Sequence, residues 1–262
     1  MNPPERRQGP ADPVLVVVNA DDLGMSRTVN EAVFALMECG RLTSASILAN
    51  APGTEEAVRR TREFPQCSFG AHLNIVEFEP LSKAPSLAGL VGKNGRLQFL
   101  PANFRMSASI LNAIYVEFKT QIERLLSGGV TLTHLDSHTD VHMRPILLPI
   151  LKCLQVAYGI RGIRIKSSLG SPYHQRRFSG GWKRSLYNWT MRHVYRSVTV
   201  EAGAELSKFI AVASEQVPSW ATVEVSAHPG NPHYPHDVEL LRSPWEEKLG
   251  FGVRLVSYHQ LK

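Results

Sequence analysis

A chain of 262 residues, 43% hydrophobic and 20% charged, is long enough to bury one large core and ordinary enough in composition to be globular. Its three cysteines, Cys39, Cys67 and Cys153, are odd in number and widely spaced, which excludes a disulfide framework and a zinc cluster and reads as three buried thiols. The net charge of +6 is unevenly distributed: residues 141–200 hold eleven of the 29 basic side chains and none of the 23 acidic ones, so the remainder of the chain is acidic.

Residues 1–12 are polar and proline-rich, without the apolar core of a signal peptide, and read as a disordered tail. No apolar run approaches the roughly 20 residues of a membrane span, so a cytoplasmic protein is expected. The apolar run Val14–Val18 predicts a buried strand, 14–19. Ser26 reads as an N-cap for a helix whose stripe Val29, Ala32, Val33, Leu36 and Met37 ends at Gly40. A second strand is expected over 43–48, a short helix over 55–63 and a third strand over 68–75. Residues 80–101 read as loop, and 107–126 as a longer helix stopped by Gly128-Gly129. A fourth strand follows at 130–137, then a helix opened by Pro145 and closed near Gly159, and a fifth strand at 162–166. The rhythm breaks over 167–200, a basic insertion with a loop to Gly181 and a helix over 182–196. It resumes with a strand at 222–227, a helix after His236 and a strand at 253–257. Strand and helix in repeated alternation predict a parallel sheet in an α/β fold. Six to seven such units suit a (β/α) barrel better than a short open sheet. With no linker and no internal repeat, residues 1–262 read as a single domain.

Polar groups gather where these strands end. Asp21-Asp22 follows the first strand, His72 lies in the third, and His134, Asp136 and His138 alternate along the fourth, which places them on one face. His142 comes four residues later, beside Asp140, and His228 ends the strand at 222–227. In a barrel such ends converge on one face. Two imidazoles and a carboxylate make a ligand set for a divalent ion with open positions, leaving an Asp and a His for proton transfer. Simpler readings compete residue by residue. Asp21-Asp22 serves equally well as a cap for the following helix, and His134 is better read as structural. His142 suits a rim or supporting position as much as ligation, and His174, His193 and His259 read as surface or packing residues.

The stretch Asn19-Ala20-Asp21-Asp22-Leu23-Gly24-Met25-Ser26, with Val29-Asn30, resembles the opening signature of the YdjC-like carbohydrate deacetylases, which include chitooligosaccharide deacetylases and deacetylase-like proteins of hopanoid biosynthesis. The resemblance continues through Gly40 to Ser46, Gly70-Ala71-His72-Leu73, Thr133-His134-Leu135-Asp136-Ser137-His138 and Ala227-His228-Pro229-Gly230. It spans residues 14–166 and 222–258; the segment between finds no match. It implies a (β/α) barrel of the deacetylase type, often distorted or incomplete, and hydrolysis of the acetamide of an N-acetylated sugar. It implies Asp22, His72 and His138 as ligands of one divalent metal ion. Softness favours zinc, the family magnesium, and the identity stays open. It further implies Asp21 as general base, His228 as general acid and Arg164 as the group orienting a catalytic carboxylate. Asp140, His142 and Asn74 are expected to contact substrate. Relatives carry a histidine where this chain has Asp140, so the resemblance is weakest at that contact.

The unmatched basic segment suggests a cover for the barrel mouth. Trp182, Tyr187, Trp189 and Tyr195 there accompany Lys183, Arg184, Arg192 and Arg196. Such a cover suits an anionic substrate, a sugar carrying phosphate, nucleotide or a lipid pyrophosphate, and a peripheral membrane contact through 176–196. No nucleic-acid motif accompanies the charge. A second copy of the chain, as a homodimer, is a candidate partner. Two readings stand against the deacetylase: a metal-dependent hydrolase of another amide or an ester, and a non-catalytic barrel that holds metal or sugar.

Overall fold

The computed structural model describes residues 12–99, 104–165, 181–214 and 220–261. The expected tail before residue 12 and the expected loop at 167–180, with His174, Arg176 and Arg177, lie outside them. Among the described residues, eight strands form one parallel sheet: β1 (Val14–Leu23), β2 (Ser44–Ile47), β3 (Ser68–Leu73), β4 (Leu132–Ser137), β5 (Gly162–Ile163), β6 (Ala202–Glu205), β7 (Thr222–Ala227) and β8 (Val253–Leu255). Their order is β5-β4-β3-β2-β1-β7-β6, and β8 pairs with the first residues of β1. The helices are α1 (Arg27–Glu38), α2 (Thr54–Arg60), α3 (Ala108–Ser127), α4 (Leu148–Tyr158), α5 (Gly181–Trp189), α6 (Leu206–Ala213) and α7 (Asp237–Arg242). The sheet curls into a half-barrel. Between its edge strands, the chain leading to β6 makes one parallel bridge, Gly162 with Val198. The incomplete barrel expected from the sequence is what forms.

Alternation along β1 explains why the sheet curls around polar side chains. Val14, Val16, Val18 and Ala20 pack outward into the main core under the helices, with Phe34, Leu36 and Phe118. The opposite face holds Val17, Asn19 and Asp21. Val17 joins Val200, Val256 and Tyr258 in a small apolar floor. Above that floor the interior is polar. Asn19 donates to Ser46 Oγ (3.1 Å) and to Asp21 Oδ1 (2.8 Å), and Ser46 donates to Asp136 Oδ2 (2.7 Å). These bonds give Asn19 Nδ2, Ser46 Oγ and Asp136 Oδ2 partners inside the barrel, which offsets the cost of burying them.

His134 belongs to this layer and plays the structural part expected of it. Its ring lies flat on Tyr258, with centroids 3.9 Å apart, and its nitrogens meet Thr133 Oγ1 (2.8 Å) and Ser46 Oγ (3.2 Å). Gly70 faces it across the strands; a Cβ there would lie 2.3 Å from His134 Nε2, so only glycine fits. Burial lowers the His134 pKa from 6.5 to about 3. A histidine depressed in this way gives its full stability above 6.5 and loses it as pH falls toward 3. We expect about 1.4 kcal/mol of stability to be lost per pH unit across that window. Urea unfolding at pH 7 and pH 5 checks this, with His134→Gln showing a shallower dependence than wild type.

Several local expectations need correction. β1 runs on through Leu23, so Asp21 and Asp22 are strand residues and not a helix cap. Ser26 performs that task, its Oγ accepting from the Val29 N–H at 3.2 Å. β5 stops at Ile163 instead of Lys166, although Arg164 N still donates to Leu135 O (3.0 Å). β6 was not expected, because Ala202-Gly203-Ala204-Glu205 carries no apolar run. Cys67 is buried as expected, whereas Cys39 and Cys153 are exposed. No described helix is long and apolar enough to cross a membrane.

Candidate active site

The C-terminal ends of β1, β3, β4 and β7 surround a cavity of about 430 Å³, lined by Asp21, Asp22, His72, His138, Arg164 and His228 among others. Asp22 and Asp21 are sequence neighbours with different partners. Asp22 has a left-handed backbone (φ 64°), rare for a residue other than glycine, and such strain marks a conformation held in place by its surroundings. Its Oδ1 faces two imidazoles, His138 Nδ1 at 2.9 Å and His72 Nε2 at 3.4 Å, while Oδ2 accepts from Asn231 Nδ2 at 3.1 Å. One ligand atom from each of Asp22, His72 and His138 can be chosen so that all lie within 4.8 Å of one another.

The surroundings of this trio fit a cation. His72 Nδ1 is taken by Asp136 Oδ1 at 2.8 Å, which leaves Nε2 toward Asp22. Burial alone would push the His72 pKa down, but the Asp136 and Asp22 carboxylates outweigh it and raise it to about 10. Burial likewise works against ionised Asp22, yet the two imidazoles hold its carboxyl well below the usual range. The pocket therefore favours positive charge at this point, and the donor set of two nitrogens and one oxygen suits a divalent ion. Asp21, His72 and Asp136 form a second close group. There both carboxylates already face Arg164, so it is the poorer cation site.

Asp21 is held from the other side. Arg164 grips it with two bonds, Nη1 to Oδ2 at 2.8 Å and Nη2 to Oδ1 at 2.7 Å. The same guanidinium reaches Asp136 Oδ2 (2.9 Å) and Glu224 Oε1 (2.7 Å). Arg164 thus ties three buried carboxylates together. Burial raises the pKa of Glu224, whose other oxygen accepts from the Tyr258 hydroxyl. Across the cavity His228 Nε2 lies 3.7 Å from Asp21 Oδ2. The His228 ring stacks on Tyr234 with centroids 3.9 Å apart, and its backbone N–H donates to Asp237 Oδ2 at 2.7 Å. A carboxylate and an imidazole therefore face the same space beside the candidate cation position, an arrangement able to take up one proton and deliver another.

A family model described as YdjC-like protein matches residues 15–249. The chain belongs to the YdjC-like family. This YdjC-like protein is 35% identical over 146 residues to a carbohydrate deacetylase of Geobacillus stearothermophilus, covering 56% of the chain and 58% of that relative. It is 31% identical over 147 residues to a chitooligosaccharide deacetylase of Serratia marcescens, covering 56% and 57%. The match thus extends over little more than half the length of these relatives. Among solved structures, an Enterococcus faecalis protein named for cellobiose-phosphate cleavage superposes with a TM-score of 0.72. Its identity is 21%, over 95% of this chain and 98% of that one, and the likeness is one of fold.

The YdjC-like barrel brings Asp21, Asp22, His72, His138, Arg164 and His228 around one cavity, with Asp140 also on its wall. Asn74 and His142, expected to contact substrate, are not on its wall. His142 is fully buried, with Nδ1 against Ser137 Oγ (2.7 Å) and Nε2 against Arg164 O (3.1 Å). Thr139 and Asp140 both take φ 56°, which turns the chain so that His142 points inward. Asn74 is also fully buried and bonds to the backbone of the loop that follows it.

Sequence reasoning missed Glu77, Glu224, Asn231 and Tyr234, all of which line the cavity. The anionic substrate expected from the basic segment finds no support here. Six carboxylates line the described wall, from Asp21, Asp22, Glu77, Asp140, Glu205 and Glu224, against one arginine, Arg164, which bonds two of them. Arg161, Arg192 and Arg196 line a separate cleft with Thr222, the first residue of β7, at the opposite end of the strands. Tyr187 of the basic segment is buried, its hydroxyl donating to His142 O at 3.0 Å.

Proposed function

We propose that this YdjC-like protein is a metal-dependent carbohydrate N-deacetylase that hydrolyses the acetamide of a neutral N-acetylated sugar. The observation that carries this reading is the division of labour at the end of β1. Asp22 turns to two imidazoles while Asp21, one residue earlier, is locked by Arg164 beside His228. A divalent ion held by Asp22, His72 and His138 would supply Lewis-acid activation of the acetyl carbonyl and of water. Asp21 Oδ2 takes the proton from the attacking water, and Arg164 keeps that carboxylate aimed into the cavity. His228 Nε2 delivers a proton to the departing amine nitrogen, so the amine leaves neutral and acetate remains. Tyr234, stacked on the His228 ring, and Asp237, fixed to its backbone, hold the imidazole at the rim. No side-chain nucleophile is needed. The relatives named as carbohydrate and chitooligosaccharide deacetylases support the substrate class.

The six carboxylates of the described wall support a neutral substrate, since they would repel a phosphate group. The test is acetate release from N-acetylglucosamine oligomers and from phosphate-bearing N-acetylated sugars. We expect turnover of the neutral oligomers that EDTA abolishes and an added divalent ion restores. Faster turnover of the phosphorylated sugars would contradict the neutral assignment. Release unaffected by EDTA would contradict metal dependence.

A further inference from the structure

Both histidines of the candidate cation site are gripped at the nitrogen that faces away from it. His72 has Asp136 at Nδ1, deep in the barrel. His138 has Glu77 at Nε2, where Oε2 lies 3.1 Å away. His138 Nδ1 is the atom that faces Asp22, so an N–H at Nε2 donating to Glu77 leaves the Nδ1 lone pair for the cation position. We infer that Glu77 is a positioning residue that fixes the ring orientation and tautomer of His138, and so sets the affinity of the site for a divalent ion. This inference rests on the metal-dependent reading above.

Glu77 sits on the loop after β3, and a buried polar bracket holds that loop. The Asn74 side chain accepts from the N–H groups of Val76 and Glu77 (3.0 and 3.1 Å) and donates to Glu77 O (2.8 Å). Asn50 donates to the carbonyls of Glu77 and Glu79 (3.2 and 3.0 Å). Asn74 is fixed in turn by Gln121 of α3, which bonds both its N–H and its carbonyl (2.9 and 2.6 Å). One turn earlier, Glu117 accepts from Leu81 N, Ser82 N and Gln121 Nε2 (3.0, 2.7 and 2.8 Å). Asn74, Glu117 and Gln121 are all essentially inaccessible. Burying so many polar groups in one bracket is costly unless each is satisfied, and here the bonds converge on the loop that carries Glu77. Phe78 directly after it has φ 62°, a strained conformation that this bracket enforces. The expected substrate residue Asn74 thus serves the site by holding the loop that presents Glu77.

Carboxylate partners of this kind change metal affinity by about 10- to 100-fold. The test is calorimetric titration of the full chain with Zn²⁺ and, in separate runs, Mg²⁺, taking as reference the ion that wild type binds more tightly. Glu77→Ala is expected to raise Kd by about 10- to 100-fold. Glu77→Gln, whose amide oxygen accepts the same bond, is expected to recover most of that loss. The Glu77 side chain is 42% exposed, so both variants should unfold at the wild-type midpoint. A Glu77→Ala affinity within about twofold of wild type would overturn the inference alone. Glu77→Gln as weak as Glu77→Ala would overturn positioning in favour of direct ligation by the charged oxygen. Wild type that binds neither ion would overturn the metal reading and this inference with it.

Discussion

Arg164→Ala is expected to lower the unfolding free energy by about 3–5 kcal/mol, the largest effect of any single side chain in the site. The guanidinium reaches Asp21, Asp136 and Glu224 with bonds of 2.7–2.9 Å, and all three carboxylates are buried. Removing it leaves at least two negative charges inside the barrel with no counter-charge of comparable reach. Lysine does not repair this, because one ammonium cannot present the planar fork that serves three carboxylates at once. Arg164→Lys is therefore expected to recover less than half of the loss. Urea unfolding of the three proteins at pH 7 measures it. A loss below about 1 kcal/mol for Arg164→Ala would mean that Arg164 is not the hub of the interior charges. Lower pH should narrow the gap, because protonating the carboxylates removes the charges that need Arg164.

The second large effect concerns rate. Asp21→Asn removes the proton acceptor but keeps the shape and the bonds that the amide oxygen can take from Arg164. The account predicts a fall in acetate release of about 10²–10⁴-fold, the usual contribution of a positioned acid or base. His228→Gln is expected to fall within the same range, since it removes the partner proton donor while keeping a polar side chain at the rim. Because base and acid act on one turnover, the double variant should be little slower than the slower single variant. Multiplying losses would instead indicate two independent contributions and no shared proton path.

Much of this was legible in the sequence because its signals are local. A run of β-branched residues ending in two acids needs only period-two alternation to place Asp21 inside the barrel. The same alternation puts His134 and Asp136 on one face of β4. Other features depend on chain direction after a strand ends, which periodicity does not encode. Asn74 directly after β3 and His142 five residues after the end of β4 both turn into the protein: Asn74 to brace a loop, His142 behind two consecutive left-handed residues. Glu77 sits in a loop with a second acid, Glu79, and nothing local separates the one that reaches His138 from the one that does not. Glu224 read as an ordinary strand residue, because its importance comes from Arg164, sixty positions away. The basic segment misled for a similar reason. Charge counted along the chain carries no address: within 141–200, Arg164 lines the catalytic cavity, whereas Arg161, Arg192 and Arg196 line a cleft at the far end of the strands.

The split between two adjacent aspartates is the centre of this account, and one titration tests it most directly. Wild type, Asp21→Asn and Asp22→Asn are titrated calorimetrically with the divalent ion that supports acetate release. The account predicts that Asp22→Asn loses ion binding, whereas Asp21→Asn binds with wild-type affinity although its turnover is gone. Equal loss of binding in both variants, or loss in Asp21→Asn alone, would contradict it.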